Sequence, residues 1–313
     1  MPTNPPLEIA FCADRNMLAA MHVAIRSVLE SFKGVPQFLI LSTDLEASDL
    51  SVLHNTLKET GKSYSLRFVR IDPTPFANFP RWGGSHANYF RFLIAELSDC
   101  DRCLYLDCDT SCYTDLGVLA DFNLSGYPLA LSVEAPISQC ADKLIISLLG
   151  QNVIGLYYNA GVCLINCATW RNNNFKLACF NFILEHKPQF SDQSALNYCL
   201  QGRIAPLSGK FNFQTNVRAN WPLLRKPNRG AGCLLHFVDY PKPWSAMGRW
   251  VHPFGDQWWG EYQKTAHFRE NCYKPAPIRW DAKTRFGYHK ALKDKLLFSL
   301  YERGMLLPKG VPA

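Results

Sequence analysis

A chain of 313 residues with 48% hydrophobic and 19% charged side chains has an ordinary globular composition, which excludes a disordered or fibrous protein and leaves ample length for a large core. Its net charge of +7 is unevenly placed: from Arg249 to Ala313 twelve Lys or Arg stand against six Asp or Glu, so this stretch carries +6 and the preceding body is nearly neutral. The opening Met1-Pro2-Thr3-Asn4-Pro5-Pro6 has neither the basic nor the apolar region of a secretory signal, and no run of about eighteen apolar residues suits a bilayer span.

Leu7 to Cys12 reads as a first strand, followed by the polar Ala13-Asp14-Arg15-Asn16 and by a helix from Met17 to Phe32 with apolar residues at helical spacing. A strand, polar loop and helix suit a nucleotide-binding α/β unit, and Asp14 and Asn16 also suit helix capping. Neither G-x-G-x-x-G nor G-x-x-x-x-G-K-[ST] occurs, which excludes a dinucleotide fingerprint and a P-loop. Gln37 to Leu41 and Leu66 to Ile71 are further strands around a helix from Ser48 to Gly61, an alternation that argues a parallel or mostly parallel sheet. After the Pro- and Gly-rich loop Asp72 to Gly84, a helix is expected over Ser85 to Leu97, bearing Arg91, which could hold a phosphate, pair with a carboxylate or be solvated.

That helix leads to Cys103-Leu104-Tyr105-Leu106-Asp107-Cys108-Asp109, an apolar strand ending in two carboxylates one residue apart. Strand ends are where open α/β sheets bind ligands. Two carboxylates so close repel unless a cation lies between them, and hard oxygen ligands suit Mg²⁺ or Mn²⁺. A bare D-x-D is weak, and Asp107-x-Asp109-x-Ser111 also resembles the nucleophile motif of haloacid-dehalogenase phosphatases.

Pro128 to Val133 is a strand ending at Glu134, Asp142 to Leu149 a short helix, and Tyr157 to Asn166 a strand whose small Ala160 and Gly161 mark close approach of a ligand or another backbone. A helix spans Phe175 to Lys187, and Ser191-Asp192-Gln193 opens another through Leu200, with Ser191 as the expected N-cap. Phe211-Asn212-Phe213 and Gly232 to His236 close the body, and His236 lies six residues before Lys242. The twelve cysteines are scattered, several inside apolar strands, and are expected to be free thiols; the spacing of Cys100, Cys103, Cys108 and Cys112 is not that of a zinc site.

Leu104 to Asp109, Tyr158-Asn159-Ala160-Gly161-Val162, Asp192-Gln193 and His236 to Trp244, in this order, resemble the retaining glycosyltransferases of family 8, the group of the lipopolysaccharide α-galactosyl- and α-glucosyltransferases and of glycogenin. The resemblance covers roughly residues 7 to 250, and the phosphatase reading recedes, because that family has its D-x-D near the N-terminus and a later acidic pair. It implies a GT-A fold, an α/β Rossmann-like, mostly parallel mixed sheet over residues 1–248, with a basic aromatic helical extension over 249–313. It further implies Mn²⁺-dependent transfer of galactose or glucose from a UDP-sugar with retention, Mg²⁺ being the alternative ion. By position Asp107, Asp109 and His236 resemble the metal ligands and Lys242 the phosphate-contacting lysine. Ala13, Asp14 and Asn16 match the uracil and ribose loop, and Ser85 and Arg91 the flanking nucleotide and sugar contacts. Asn159, Ala160, Asp192 and Gln193 match the surroundings of the transferred sugar, and Glu134 an acidic acceptor-site residue. Asp192 and Gln193 are the candidate catalytic pair, with Gln193 expected beneath the anomeric carbon. Two departures are that Asp239 replaces a motif glycine and that Met17 stands where an aromatic often stacks on uracil.

Trp250, Trp258, Trp259, Tyr262, Phe268, Tyr273, Trp280, Phe286 and Tyr288 are interleaved with the basic residues of the tail. That mixture suits either the headgroup region of an anionic membrane or a small cap packed on the body; nucleic acid is not expected, since no nucleic-acid module is present. The expectation is a cytoplasmic enzyme, peripheral at the inner face of a bacterial inner membrane, acting on a glycan or glycolipid such as lipopolysaccharide core. A non-catalytic UDP-sugar-binding protein and a soluble glycogenin-like glucosyltransferase are the alternatives.

Overall fold

The computed structural model describes residues 7–150, 152–215, 232–238, 240–275 and 277–302. The first half alternates as read: β1 (Leu7–Cys12), α1 (Leu18–Ser31), β2 (Gln37–Ser42), α2 (Ala47–Lys58) and β3 (Ser65–Arg70). There follow the short α3 (Ile94–Leu97), β4 (Arg102–Leu106), β5 (Thr110–Cys112), β6 (Leu129–Pro136), α4 (Lys143–Leu149) and β7 (Leu156–Asn166). Helices α5 (Cys167–Asn172), α6 (Phe175–His186) and α7 (Ser191–Cys199) precede β8 (Ile204–Leu207), β9 (Phe213–Gln214) and β10 (Leu234–His236).

Seven strands form one sheet in the order β3-β2-β1-β4-β7-β6-β8. All run parallel except β7, which is antiparallel to both β4 and β6, so the sheet is mixed and mostly parallel. Strand β1 is buried along its whole length, and its alternate residues feed two cores. Ile9 and Phe11 pack with α1 and α2 on one face, while Ala10 and Cys12 pack with Tyr105, Leu131 and the Phe76 to Phe92 aromatics on the other. Beyond the C-terminal edge of β4, a second sheet of order β5-β10-β9 pairs His236 with Thr110.

One expectation fails in a useful way. Ser85 to Leu97 is not one α-helix: Ala87–Leu93 winds as a 3₁₀ helix before α3 begins. Three residues per turn bring i and i+3 into line, which stacks Tyr89 near Phe92 in the core and sets Asn88 and Arg91 together on the opposite side.

The tail divides. α8 (Gly248–Val251), α9 (Gly255–Tyr262) and α10 (Ala266–Arg269) lead to a longer α11 (Ala282–Glu302). Phe254, Trp258 and Tyr262 are buried in the core that contains α1, and the N–H of Ala266 donates to Thr56 of α2 at 3.0 Å. Trp259 and Tyr273 pack against the same core, and Tyr288 is buried on Val251. These six aromatics are therefore packing residues and not a membrane face, because full or partial burial among apolar neighbours withdraws them from solvent. Trp250, Trp280 and Phe286 remain exposed and Phe268 borders on it. Among the described residues no helix is long and apolar enough to cross a membrane. All twelve cysteines are free thiols and nine are buried, as expected.

Candidate functional site

The β4 to β5 turn presents Asp107 and Asp109, and the antiparallel pairing of β10 with β5 brings His236 opposite them. His236 Nε2 lies 3.5 Å from Asp107 Oδ2 and 3.2 Å from Asp109 Oδ1, and one donor atom from each residue falls within 4.8 Å of the others. Asp109 Oδ1 is buried without a hydrogen-bond donor. Burial opposes the charge of Asp109, but Lys242 and His236 outweigh it and hold the carboxyl well below the usual range.

Strand β7 closes the cradle: the N–H of Asp107 donates to the Gly161 carbonyl at 2.8 Å. A Cβ on Gly161 would stand 2.1 Å from His236 Cε1 and 2.8 Å from Asp107 Oδ2, so glycine is required by close approach of side chains. Two carboxylates, an imidazole and an orphaned buried oxygen converging on one point are a donor set that fits a divalent cation, and Asp107, Asp109 and His236 would hold it.

Two cations flank this cluster. Lys242 Nζ ion-pairs with Asp109 Oδ2 at 2.8 Å and donates to the Phe237 carbonyl. Arg91, 6% exposed, reaches Asp107 Oδ1 at 2.9 Å and Asp192 Oδ2 at 3.1 Å, donates to the Ala160 carbonyl, and lies 4.2 Å above the Tyr105 ring. Burial works against the guanidinium charge, but Asp192, Tyr105 and Asp107 more than offset it. Burial also raises the Asp192 carboxyl above its ordinary value, Arg91 and the amide of Asn88 at 2.6 Å only partly opposing it. The solvated reading of Arg91 is therefore excluded, and its position is that of a bridge between two carboxylates.

Opposite the cradle, Gln193 has both ends of its amide engaged. Its Oε1 accepts from the Ala160 N–H at 3.0 Å, and its Nε2 donates to Glu134 Oε2 at 3.2 Å and to the Tyr157 hydroxyl at 3.4 Å. Tyr157 in turn donates to the buried Asp142 at 3.0 Å, which also accepts from Ser194 Oγ. Glu134 sits at a register shift in β6, between Val133 and Ala135, and the bulge lets its side chain meet Asn159 Nδ2 at 3.1 Å.

A cavity of about 540 Å³ joins these parts. It is lined by Asp14, Asn16, Ser85, Arg91, Asp107, Asp109, Glu134, Asn159, Ala160, Asp192, Gln193, His236 and Lys242, so twelve candidates from strands, loops and the start of α7 meet the buried arginine in one place. Ala13 is fully buried and does not line it. Asp14 Oδ1 accepts from the Asn16 N–H at 2.9 Å, so it caps the turn Arg15–Met17 while facing the cavity beside Met17. Asp239 lies outside the described residues.

Ser191 is not the N-cap expected of it. Phe190 occupies that position, and Ser191 is the first residue of α7 with φ of 49°, its Oγ accepting from Tyr89 at 3.1 Å. A left-handed serine directly before Asp192-Gln193 is strained backbone of the kind that gathers at functional sites. Sequence reasoning also missed Asn88, Tyr105, Asp142, Tyr157, Trp82 and Asn212. Asn88 carried a signal, three residues before Arg91, and so did Tyr105, two residues before Asp107 and on the same face of the strand; the others reach the site through tertiary contacts that no local spacing announces.

The model of the family "Glycosyl transferase family 8" matches residues 8–248. "Lipopolysaccharide 1,3-galactosyltransferase" of Salmonella typhimurium is 28% identical over 254 residues, covering 77% of this chain and 73% of that protein. "Lipopolysaccharide glucosyltransferase WaaO" of Escherichia coli is 25% identical over 317 residues, covering 95% and 91%. "General stress protein A" of Bacillus subtilis is 24% identical over 276 residues, covering 80% and 91%. A crystal structure of the galactosyltransferase LgtC with donor and acceptor sugar analogs superposes with a TM-score of 0.68 at 24% identity, over 87% of this chain and 98% of that one, which establishes the GT-A fold.

Proposed function

The chain belongs to glycosyl transferase family 8 and is a glycosyltransferase, and from that premise we propose that it moves galactose or glucose from a UDP-sugar, with retention, to a glycan acceptor of the lipopolysaccharide-core class. The observation that carries the reading is the convergence of Asp107, Asp109 and His236 on one point, with Lys242 beside them and Gln193 and Glu134 across the same cavity. The names of the Salmonella and Escherichia relatives, both lipopolysaccharide transferases, support the acceptor class.

Bound by Asp107, Asp109 and His236, a divalent ion, with Mn²⁺ favoured by the resemblance, would neutralise a diphosphate. The chain's own residues do the rest. Asp14, Asn16 and Ser85 hold the nucleoside, and Lys242 stabilises the charge that develops on the β-phosphate as the sugar carbon loses its bond to it. Arg91 and Asp192 fix the floor beneath the sugar. Gln193, its amide already committed at both ends, is a poor nucleophile. The acceptor hydroxyl therefore attacks from the face the phosphate leaves: the carbon–oxygen bond to acceptor forms as that to phosphate breaks, and the hydroxyl proton passes to the departing phosphate. Glu134 orients the acceptor.

We read 249–313 as an extension that places the enzyme at the inner face of the membrane. Trp250, Trp280, Phe286, Leu292 and Leu296 are exposed, and Arg249, Lys283, Arg285, Lys290 and Lys293 lie in the same stretch. Reversing Lys283, Arg285 and Lys290 to Glu is expected to abolish sedimentation with anionic vesicles while a soluble acceptor is used as before.

The decisive test of the transferase reading is UDP release from a panel of UDP-hexoses, with Mn²⁺ or EDTA, for the wild type and Asp109→Ala. Release that needs both metal and Asp109 supports it, and the preferred donor names the sugar. UDP-sugar binding without release on any acceptor would overturn it in favour of a binding protein.

A further inference from the structure

Behind the cradle runs a chain of buried amides whose polarity is fixed from one end. The backbone N–H of Gly161 can only donate, and it donates to Asn159 Oδ1 at 3.0 Å. Asn159 Nδ2 therefore points the other way, to Glu134 Oε2 at 3.1 Å, as a carboxylate acceptor requires. Asn159 Oδ1 also accepts from Asn212 Nδ2 at 2.9 Å, which turns Asn212 Oδ1 toward His236 Nδ1, 2.8 Å away. A carbonyl oxygen has no proton to give, so Nδ1 of His236 carries the hydrogen. In the neutral ring, the form that ligates a metal, the lone pair is then on Nε2, the nitrogen that faces Asp107 and Asp109. Asn212 and His236 are 3% and 4% exposed, so water does not compete for these bonds.

We propose that Asn212 is a positioning residue that holds His236 in the tautomer with its bare Nε2 toward the two carboxylates, and that Asn159 extends the same amide chain to Glu134. This rests on the metal reading of the cradle made above. A histidine that ligates through one nitrogen is set by the bond its other nitrogen makes, and loss of such a partner weakens metal binding. Neither Asn212 nor its short β9 surroundings carries a motif, and its importance follows from position alone.

The test uses the full chain with Mn²⁺ as the only ligand, followed by calorimetry, together with long-range ¹H–¹⁵N correlations of histidine-labelled protein without metal. The metal-free wild type is expected to show His236 protonated at Nδ1. Asn212→Leu, which offers no acceptor, is expected to bind Mn²⁺ about 10–100-fold more weakly and to lose the single-tautomer signature. Asn212→Asp still accepts from Nδ1 but cannot donate to Asn159; it is expected to keep the tautomer and the wild-type Mn²⁺ affinity. Asn212→Ser, smaller and polar, carries the expectation of Asn212→Leu should that variant fail to fold. Leu and Ser variants that retain both the Nδ1 proton and wild-type affinity overturn the proposal. If the wild type binds Mn²⁺ no better than Asp109→Ala, it is the metal reading that fails, and the tautomer of metal-free Asn212→Leu or Asn212→Ser decides the positioning claim by itself.

Discussion

The two walls of the cavity are built on opposite principles. On the Asp109 side the charges are paired and nearly enclosed: Arg91 and His236 are buried, Asp109 is largely so, and Lys242 is held by Asp109. On the Glu134 side the groups are half open and joined by neutral or single-charge hydrogen bonds, with Trp82, 53% exposed, and Phe190 6.4 Å apart at the rim. Enclosed charges are expensive to leave unpaired and so tolerate little change, whereas an open polar rim can be altered at small cost. On the proposed reading the enclosed wall suits the diphosphate of the donor, and the open wall suits the acceptor.

Substitutions on the two walls should therefore separate in size and in kind. The largest effect is expected for Asp109→Ala, with metal-dependent UDP release falling by at least about 10²–10³-fold, because it removes a donor and also leaves Lys242 without its partner. Lys242→Met is expected to lower kcat about 100-fold yet to let Mn²⁺ alone bind more tightly, since Asp109 Oδ2 no longer has a resident cation. Calorimetry showing weaker Mn²⁺ binding in that variant would break the contrast between the walls. Glu134→Gln is expected to raise the acceptor KM by roughly tenfold, the cost of about 1.5 kcal/mol for a hydrogen bond to a charged group, with the UDP-sugar KM unchanged. Smallest is Trp82→Ala: unfolding free energy should stay within about 0.5 kcal/mol of wild type, and only acceptor steady-state kinetics should move, by a few-fold.

What the sequence disclosed follows the same division. The central strand and its D-x-D, the small residues of β7 and the His-to-Lys spacing were legible, because each rests on a local pattern of polarity and size. The 3₁₀ winding of Ala87–Leu93 was not: helical spacing of apolar residues does not distinguish it from an α-helix, and the buried partners of Asn88 and Arg91 decide it. Ser191 read as a cap because serine favours that position, but Tyr89 claims its hydroxyl and Phe190 takes the cap. The aromatics of the tail looked alike along the chain, and only the groove above α1 and α2 sorts Trp258 and Tyr262 from Trp250 and Phe286. Asn212 was invisible for a simpler reason: its partners lie 24 and 53 residues away.

Three consecutive residues of β7 serve three different neighbours. Asn159 meets Glu134 and Asn212, Ala160 meets Gln193 and Arg91, and Gly161 stands against His236 and Asp107. Asn159 pairs with Ser132 of β6, the Gly161 carbonyl accepts from the Asp107 N–H, and Val162 pairs with Leu106 of β4, so these residues cannot shift independently. Changes within the tripeptide should therefore be strongly epistatic, and a relative that has altered one of the three is expected to have altered its companions or their partners as well. A tolerated change here is expected to replace the tripeptide together with its contacts, and a new sugar preference is expected to be reached more readily from the rim.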